Sequence, residues 1–331
     1  MNQKSLHWGW LVALAIALVF PFVSTNEYYL SVATLALIYA ISALGLNLLT
    51  GYTGQFNLAH GGFMAIGAYA VGILTVDYEW SFWAAFIVAI LVTMLIGFFV
   101  GLVSLRLKSH FFSIFTLCVG YIIFLLIEKW EWLTQGVVGI MNVPVPELGG
   151  LVDFEEPRAQ YYLVVFFLAL GLWLMNRIVR SIVGRSFVAV RNSEPLAQAL
   201  GINLMRTKIL SFVISVAYAG AAGALYAGYV RFLGPDMAYV THTFTVVMFV
   251  LVGGIGTLAG PVIGALLVSS LTQSLQFLED YRMLIFGPLL IIILIFIPAG
   301  IVGVWRKFKA KRMIAAKQKA AAAKGGSYAS N

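Results

Sequence analysis

"GLNLLTGYTGQFNLAHGGFMAIGAY", residues 45–69, opens as an apolar run, breaks at Gly51, Gly54, Gly61 and Gly62 with Thr50, Gln55, Asn57 and His60 set among the glycines, and then turns apolar again. Glycine interrupts helices, and irregular backbone between two membrane-depth runs is tolerated only where it is buried in protein or lines a wet cavity. The stretch therefore reads as a broken helical segment in a membrane protein. A second stretch, "LVGGIGTLAGPVIGALL" at residues 251–267, is interrupted in the same way by Gly253, Gly254, Gly256, Gly260 and Pro261. A pair of Gly/Pro-interrupted segments points to a translocation path. The candidate path residues are Asn47, Thr50, Gly51, Gly54, Gln55, Asn57, His60, Gly253, Gly254 and Gly256. The glycines of "SVAYAGAAGALYAG" (residues 215–228) read differently: Ser215, Ala219, Gly223 and Ala227 recur every four residues, a small face for close helix packing.

The rest of the chain supports the membrane reading. Of its 331 residues 61% are hydrophobic and only 10% charged, with a mean hydropathy of +0.95, whereas soluble domains carry about 25% charged residues. Apolar segments fall near residues 8–23, 30–49, 61–76, 81–105, 110–127, 159–176, 209–228, 243–257, 259–277 and 283–300. The expected fold is all-α, a polytopic membrane protein of about ten transmembrane helices. The first segment, with no small-residue cleavage site after it, is expected to be a retained span. The two broken stretches would then occupy equivalent places, as an internal repeat would give.

Charge predicts orientation. With a cytoplasmic N-terminus, the inner segments hold Lys4, Arg106, Lys108, Arg177, Arg180, Arg185, Arg191, Arg206, Lys208 and the basic tail, leaving Lys129, Arg158, Arg231 and Arg282 outside. Every acidic residue except Glu194 falls outside. Positive charge resists translocation, so both termini are expected in the cytoplasm. The net charge of +8 follows topology and does not imply nucleic-acid binding. None of the carboxylates is expected near a span centre, where a proton-coupled carrier would need one. The chain offers no cluster for metal or hydrolytic chemistry: its lone Cys118 lies in an apolar run, and no catalytic or metal-ligating residue is expected. Energy for uphill transport would have to come from outside the chain.

Several motifs together resemble the permease subunits of branched-chain amino-acid ABC importers, in particular the larger M-type permease. They are "ALGLNLLTGYTGQFNLAHGGFMAIGAYA" (43–70), "WLTQGVVGIMNVPVP" (132–146), "GRSFVAVRNSEPLAQALGINLMRTKILSFVISVAYAGAAGALYA" (184–227), "GGIGTLAGPVIGA" (253–265) and "YRMLIFGPLLIIILIFIPAGIVG" (281–303). The third is the most specific. The last departs from the family at Ala299, where an arginine is common. The resemblance implies a permease domain over residues 1–305, with a cytoplasmic coupling loop at 177–208 and an extracytoplasmic loop at 128–158. A basic cytoplasmic tail at 306–331 would lie on membrane lipid.

It also implies the partners: a sister permease, two cytoplasmic ATPase subunits carrying ATP and Mg, and an extracytoplasmic substrate-binding protein, in a bacterial-type inner membrane. No cofactor is expected on this chain. Residues 186–201 have the composition of a capped amphipathic helix, with Asn192 or Ser193 as cap, Glu194 and Pro195 in a first turn, an apolar face of Leu196, Ala199 and Leu200, and Gly201 as stop. The resemblance makes this the coupling helix, touching the ATPase through Phe187, Arg191, Asn192, Ser193, Glu194, Pro195, Leu196, Ala199, Leu200 and Gly201. The implied cargo is leucine, isoleucine or valine. Similar permeases carry urea or short amides, and the residues taken alone also suit a self-contained sodium-coupled carrier whose broken helices supply carbonyl ligands.

Overall fold

Apolar surroundings leave the backbone few partners but itself, and the chain answers with helices. The computed structural model describes residues 17–22, 26–107, 109–147, 154–274 and 300–304. The expected spans at 8–23 and 283–300, apart from helical turns at 17–22 and 300–304, lie outside the described residues, as does the tail. In between, helices stand where the apolar segments predict them. They are α1 (Glu27–Asn47), α2 (His60–Gly72), α3 (Phe82–Ser104), α4 (Ser109–Lys129), α5 (Pro157–Arg180), α6 (Ile182–Asn192), α7 (Glu194–Ala199), α8 (Leu204–Val230), α9 (Val240–Gly253) and α10 (Gly260–Ser274). Five stretches are long and apolar enough to cross a membrane: Glu27–Thr53, Phe82–Ser104, His110–Lys129, Pro157–Arg180 and Leu204–Val230. This is a multi-pass membrane protein.

Helix starts follow local chemistry. Asn26 accepts from the Tyr28 N–H (2.9 Å) at the head of α1, and Asn203 from the Arg206 N–H (3.0 Å) at the head of α8. Pro157 opens α5, where its missing N–H costs no helical bond. Two helices widen before they end. Leu48–Thr53 continues α1 as a π-helix, and Ile73–Asp77 does the same for α2.

The core forms around α8, which packs against α1, α2 and α3. Small residues make this possible, because lipid supplies no hydrophobic drive between helices and close packing must hold them. A Cβ on Gly67 (α2) would strike the Gly220 backbone of α8, and one on Gly223 (α8) would strike the Met64 carbonyl and come within 2.9 Å of the Ala68 nitrogen. Ser215, Ala219, Gly223 and Ala227 are all buried, so the small face is a packing face. The Tyr218 hydroxyl ties α8 to α5 by donating to the Gly171 carbonyl (2.7 Å). Of the apolar window of α1, 78% is buried inside the protein, against 28% for α3, α4 and α5. α1 is therefore an inner helix, and the three others form an outer wall. Ile87, Leu91 and Phe99 on α3, Ile114, Ile122 and Leu126 on α4, and Phe166 and Trp173 on α5 point outward as lipid would require.

One end of the bundle is closed by main chain. In the 128–158 loop, β1 (Ile140–Met141) pairs antiparallel with β2 (Phe232–Leu233), a pairing the sequence reading does not anticipate. Ile140 and Leu233 are fully buried, and the Tyr69 hydroxyl donates to the Leu233 carbonyl (3.1 Å). At the other end α6 and α7 form two short helices in place of the expected single helix over 186–201. Ser193, extended at φ −164°, ends α6 and caps α7. Gly201 does stop α7: at φ +81° it allows the Ile202 N–H to reach the Ala197 carbonyl (3.0 Å) and the Gly201 N–H the Gln198 carbonyl (2.9 Å).

Glycines at different places should therefore tolerate a methyl group differently. Gly223→Ala meets backbone that cannot move aside and is expected to cost on the order of 3 kcal/mol. Gly201→Ala meets nothing within 4 Å and bears only the left-handed strain, about 1 kcal/mol. Thermal unfolding of the purified chain in mild detergent checks both, and equal losses would overturn the account of α8 as the packing hub.

Candidate functional site

The two broken stretches, 210 residues apart in sequence, meet in the structure, and Asn47 joins them. Asn47 is the last residue of α1, with its side chain 1% exposed. Its Nδ2 donates to the Thr257 carbonyl (2.8 Å), and its Oδ1 accepts from the Gly256 N–H (2.8 Å). An amide is the one neutral side chain that donates and accepts from adjacent atoms, so it answers both main-chain groups of the second break at once. The approach needs glycine on both sides. A Cβ on Gly51 would meet Asn47 Oδ1 and lie 2.5 Å from the Gly256 nitrogen, and Gly256 itself adopts φ +72°.

The remaining candidate path residues lie in or beside the two breaks. Thr50 donates through its hydroxyl to the Gln55 carbonyl (3.3 Å), and Gln55 is buried. Gly54 ends the π-helix at φ +80°. Asn57 is fully buried and accepts from the Ala59 N–H (2.9 Å), turning the chain into α2. His60, also fully buried, donates from Nε2 to the Ser42 carbonyl (2.9 Å). Asn57 Nδ2 and His60 Nδ1 have no hydrogen-bond partner among the described residues, so these two groups keep bonding capacity in reserve. Gly253 and Gly254 let α9 fold back on α10, since a Cβ on Gly253 would strike the Gly260 carbonyl group.

Residues the sequence reading passes over hold the first break open. Ser113 Oγ donates to the Phe56 carbonyl (2.8 Å), Thr116 Oγ1 accepts from the Leu58 N–H (3.1 Å), and Thr243 Oγ1 accepts from the Gly61 N–H (2.9 Å). Hydroxyls on apolar helices carry no local signal for this role, because their partners lie 57 to 182 residues away.

The α6–α7 segment stands beside the junction. Phe187 is fully buried and anchors α6 in the bundle. Arg191, near the end of α6, turns back and donates from Nη1 to the Gly51 carbonyl. Asn192 is exposed. Ser193 Oγ accepts from the Leu196 N–H (3.4 Å), Pro195 sits in the first turn, and Glu194 forms a 2.7 Å ion pair with Lys208 of α8. Lys208 is the buried charge this pair neutralises, its side chain 9% exposed against 42% for Glu194. Ala197 alone of α7 is buried. Leu196, Ala199, Leu200 and Gly201 face outward, with Leu196 at 61% and Leu200 at 71% exposure. The helix thus shows its apolar residues away from its own protein.

A family profile described as "Branched-chain amino acid transport system / permease component" matches residues 28–294. The chain is 31% identical over 320 residues to the high-affinity branched-chain amino acid transport system permease protein LivM of Escherichia coli K12, covering 89% of this chain and 75% of that one. It is 30% identical over 318 residues to LivM of Salmonella typhimurium LT2, with the same shares. It is also 30% identical over 293 residues to the permease protein LivH of that organism, covering 82% of this chain and 92% of LivH. No solved structure matches the chain. The profile match and these relatives show that the chain belongs to the branched-chain amino acid transport system permease family.

Proposed function

We propose that the chain is one permease subunit of an ATP-driven importer of leucine, isoleucine and valine. It would have about ten spans related by an internal repeat, with both termini in the cytoplasm of a bacterial-type inner membrane. It forms the path with a sister permease, receives cargo from an extracytoplasmic binding protein, and is driven by two ATPase subunits that hold ATP and Mg. The curated relatives LivM and LivH are named for branched-chain amino acid transport, which supports the cargo.

The observation that carries the ATPase contact is α7. A helix of six residues is too short to persist by its own propensity. It is nevertheless fully specified, by the Ser193 cap, the Glu194–Lys208 pair and the Gly201 stop. That effort holds Leu196 and Leu200 out from the bundle, an arrangement suited to a groove on another protein. The basic α5–α6 connection beside it, with Arg177, Arg180 and Arg185, suits the cytoplasmic side. Every described carboxylate stands at a helix end or in a connecting segment, which suits transport powered by a separate subunit.

Native mass spectrometry of the tagged chain, expressed with its genomic neighbours and purified in mild detergent, tests this. The expected mass contains a second permease and two ATPases. Leu200→Asp, at an exposed position, should leave the unfolding temperature within a degree or so and lower ATPase occupancy about thirtyfold, the loss of an interface anchor worth about 2 kcal/mol. Glu194→Lys, which sets two ammonium groups together at Lys208, should act in the same direction. A homo-oligomer without ATPase, unchanged by both substitutions, would sink the importer reading in favour of a carrier.

A further inference from the structure

Arg191 sits at the end of α6, two residues before the hinge at Ser193 and exposed to solvent, yet its side chain turns back toward the first break. Nη1 bonds the Gly51 carbonyl in the first break. The stem of the side chain lies over Gly54, where a Cβ would come within 3.1 Å of Arg191 Cγ, and Nη1 stands 3.0 Å from where a Cβ on Gly256 would be, at the second break. One side chain on the element that leads into α7 therefore bonds the first broken segment and lies beside Gly256 of the second. Gly54 and Gly256 leave the room it occupies.

We propose that Arg191 is the transmission residue of the importer, positioning both broken segments and carrying the displacement of α6 and α7 to them together. The inference rests on the reading of α7 as an ATPase contact. Phe187 lies one turn earlier on the same face of α6 and is fully buried. It serves as the pivot, and Arg191 is the arm. Arginine suits this position because its donors are fixed in a planar fork on a long stem, so that, exposed to solvent as the residue is, a shift of α6 displaces the donor at the Gly51 carbonyl and the stem over Gly54 together. Asn47 then passes the movement on, since its amide spans the same two breaks.

The complete importer, reconstituted in proteoliposomes with its binding protein and leucine, supplies the test for wild type, Arg191→Ala and Arg191→Gln. Leucine uptake and ATP hydrolysis are measured together, with subunit content by native mass spectrometry. Arg191→Ala should keep both ATPases and lower uptake per ATP hydrolysed about tenfold, the loss expected for a charge-assisted bond. Arg191→Gln keeps one NH2 donor group on a shorter stem and should fall between the two. Reduced folding alone would lower uptake and hydrolysis together and leave their ratio unchanged, so the ratio isolates transmission. A wild-type ratio in whichever variant assembles would overturn the proposal. So would loss of the ATPases from the Arg191→Ala complex, which would make Arg191 a docking contact. Absence of ATPase from the wild-type complex would overturn the importer reading itself, and that result is read before any variant is compared.

Discussion

Every main-chain N–H and C=O that leaves a helix within an apolar protein has to be answered from elsewhere, and the structure is organised around two places where that happens. Between Leu48 and Ala59 and again between Gly254 and Ala259 the chain departs from α-helix. Asn47, Ser113, Thr116, Thr243 and Arg191 supply the missing partners, each reaching across from another element or the far side of a break. These bonds decide how α1, α4, α6 and α9 sit around the breaks. The glycines decide how near they come.

The packing of the rest follows from the same shortage of alternatives. In lipid a leucine gains little by leaving the acyl chains for another leucine, so contact area between backbones holds the helices. α8 achieves this with Gly220, Gly223 and its small neighbours against α2 and α3, while α1, apolar on all sides, is enclosed. The bulky residues of α3, α4 and α5 are left at the periphery, where lipid replaces protein as their solvent.

Much of this was legible in the sequence. The apolar segments between residues 30 and 274 appear as helices close to their expected bounds, five of them in stretches long enough to span, since length and hydropathy are local properties. The Ser193 cap and the Gly201 stop were equally local and stand where the residues place them. The division of 186–201 into two helices was not, because Asn192 and Ser193 carry cap chemistry that is equally suited to the start of one helix or the joint between two. The burial of Phe187 and the bond from the exposed Arg191 to the Gly51 carbonyl were also hidden: an amphipathic pattern names two faces without saying which meets the protein. The meeting of residues 47–51 with 256–257 came from the glycines only in part, for the amide that joins them reads locally as one more helical residue.

The two ends of the bundle are built to different mechanical specifications. At the β1–β2 end, main-chain pairing is backed by buried Ile140 and Leu233, and a Cβ on Gly139 would strike the Leu233 carbonyl. Separating those strands exposes apolar surface and ladder groups together. At the other end the junction consists of side-chain bonds from Asn47 and Arg191 to backbone that is already irregular. The bond from the exposed Arg191 can pass to water at a net cost of about 1 kcal/mol, while those of the buried Asn47 cost more to leave unmade. Glycine backbone at Gly54, Gly254 and Gly256 already adopts positive φ and can pass to other conformations without a side-chain penalty. A two-state importer needs one part that stays and one that rearranges at low cost, and the proposed function would place the first at the main-chain pairing and the second at the side-chain bonds. Under the proposed coupling, movement delivered beside Arg191 reaches the end of the molecule that resists it least.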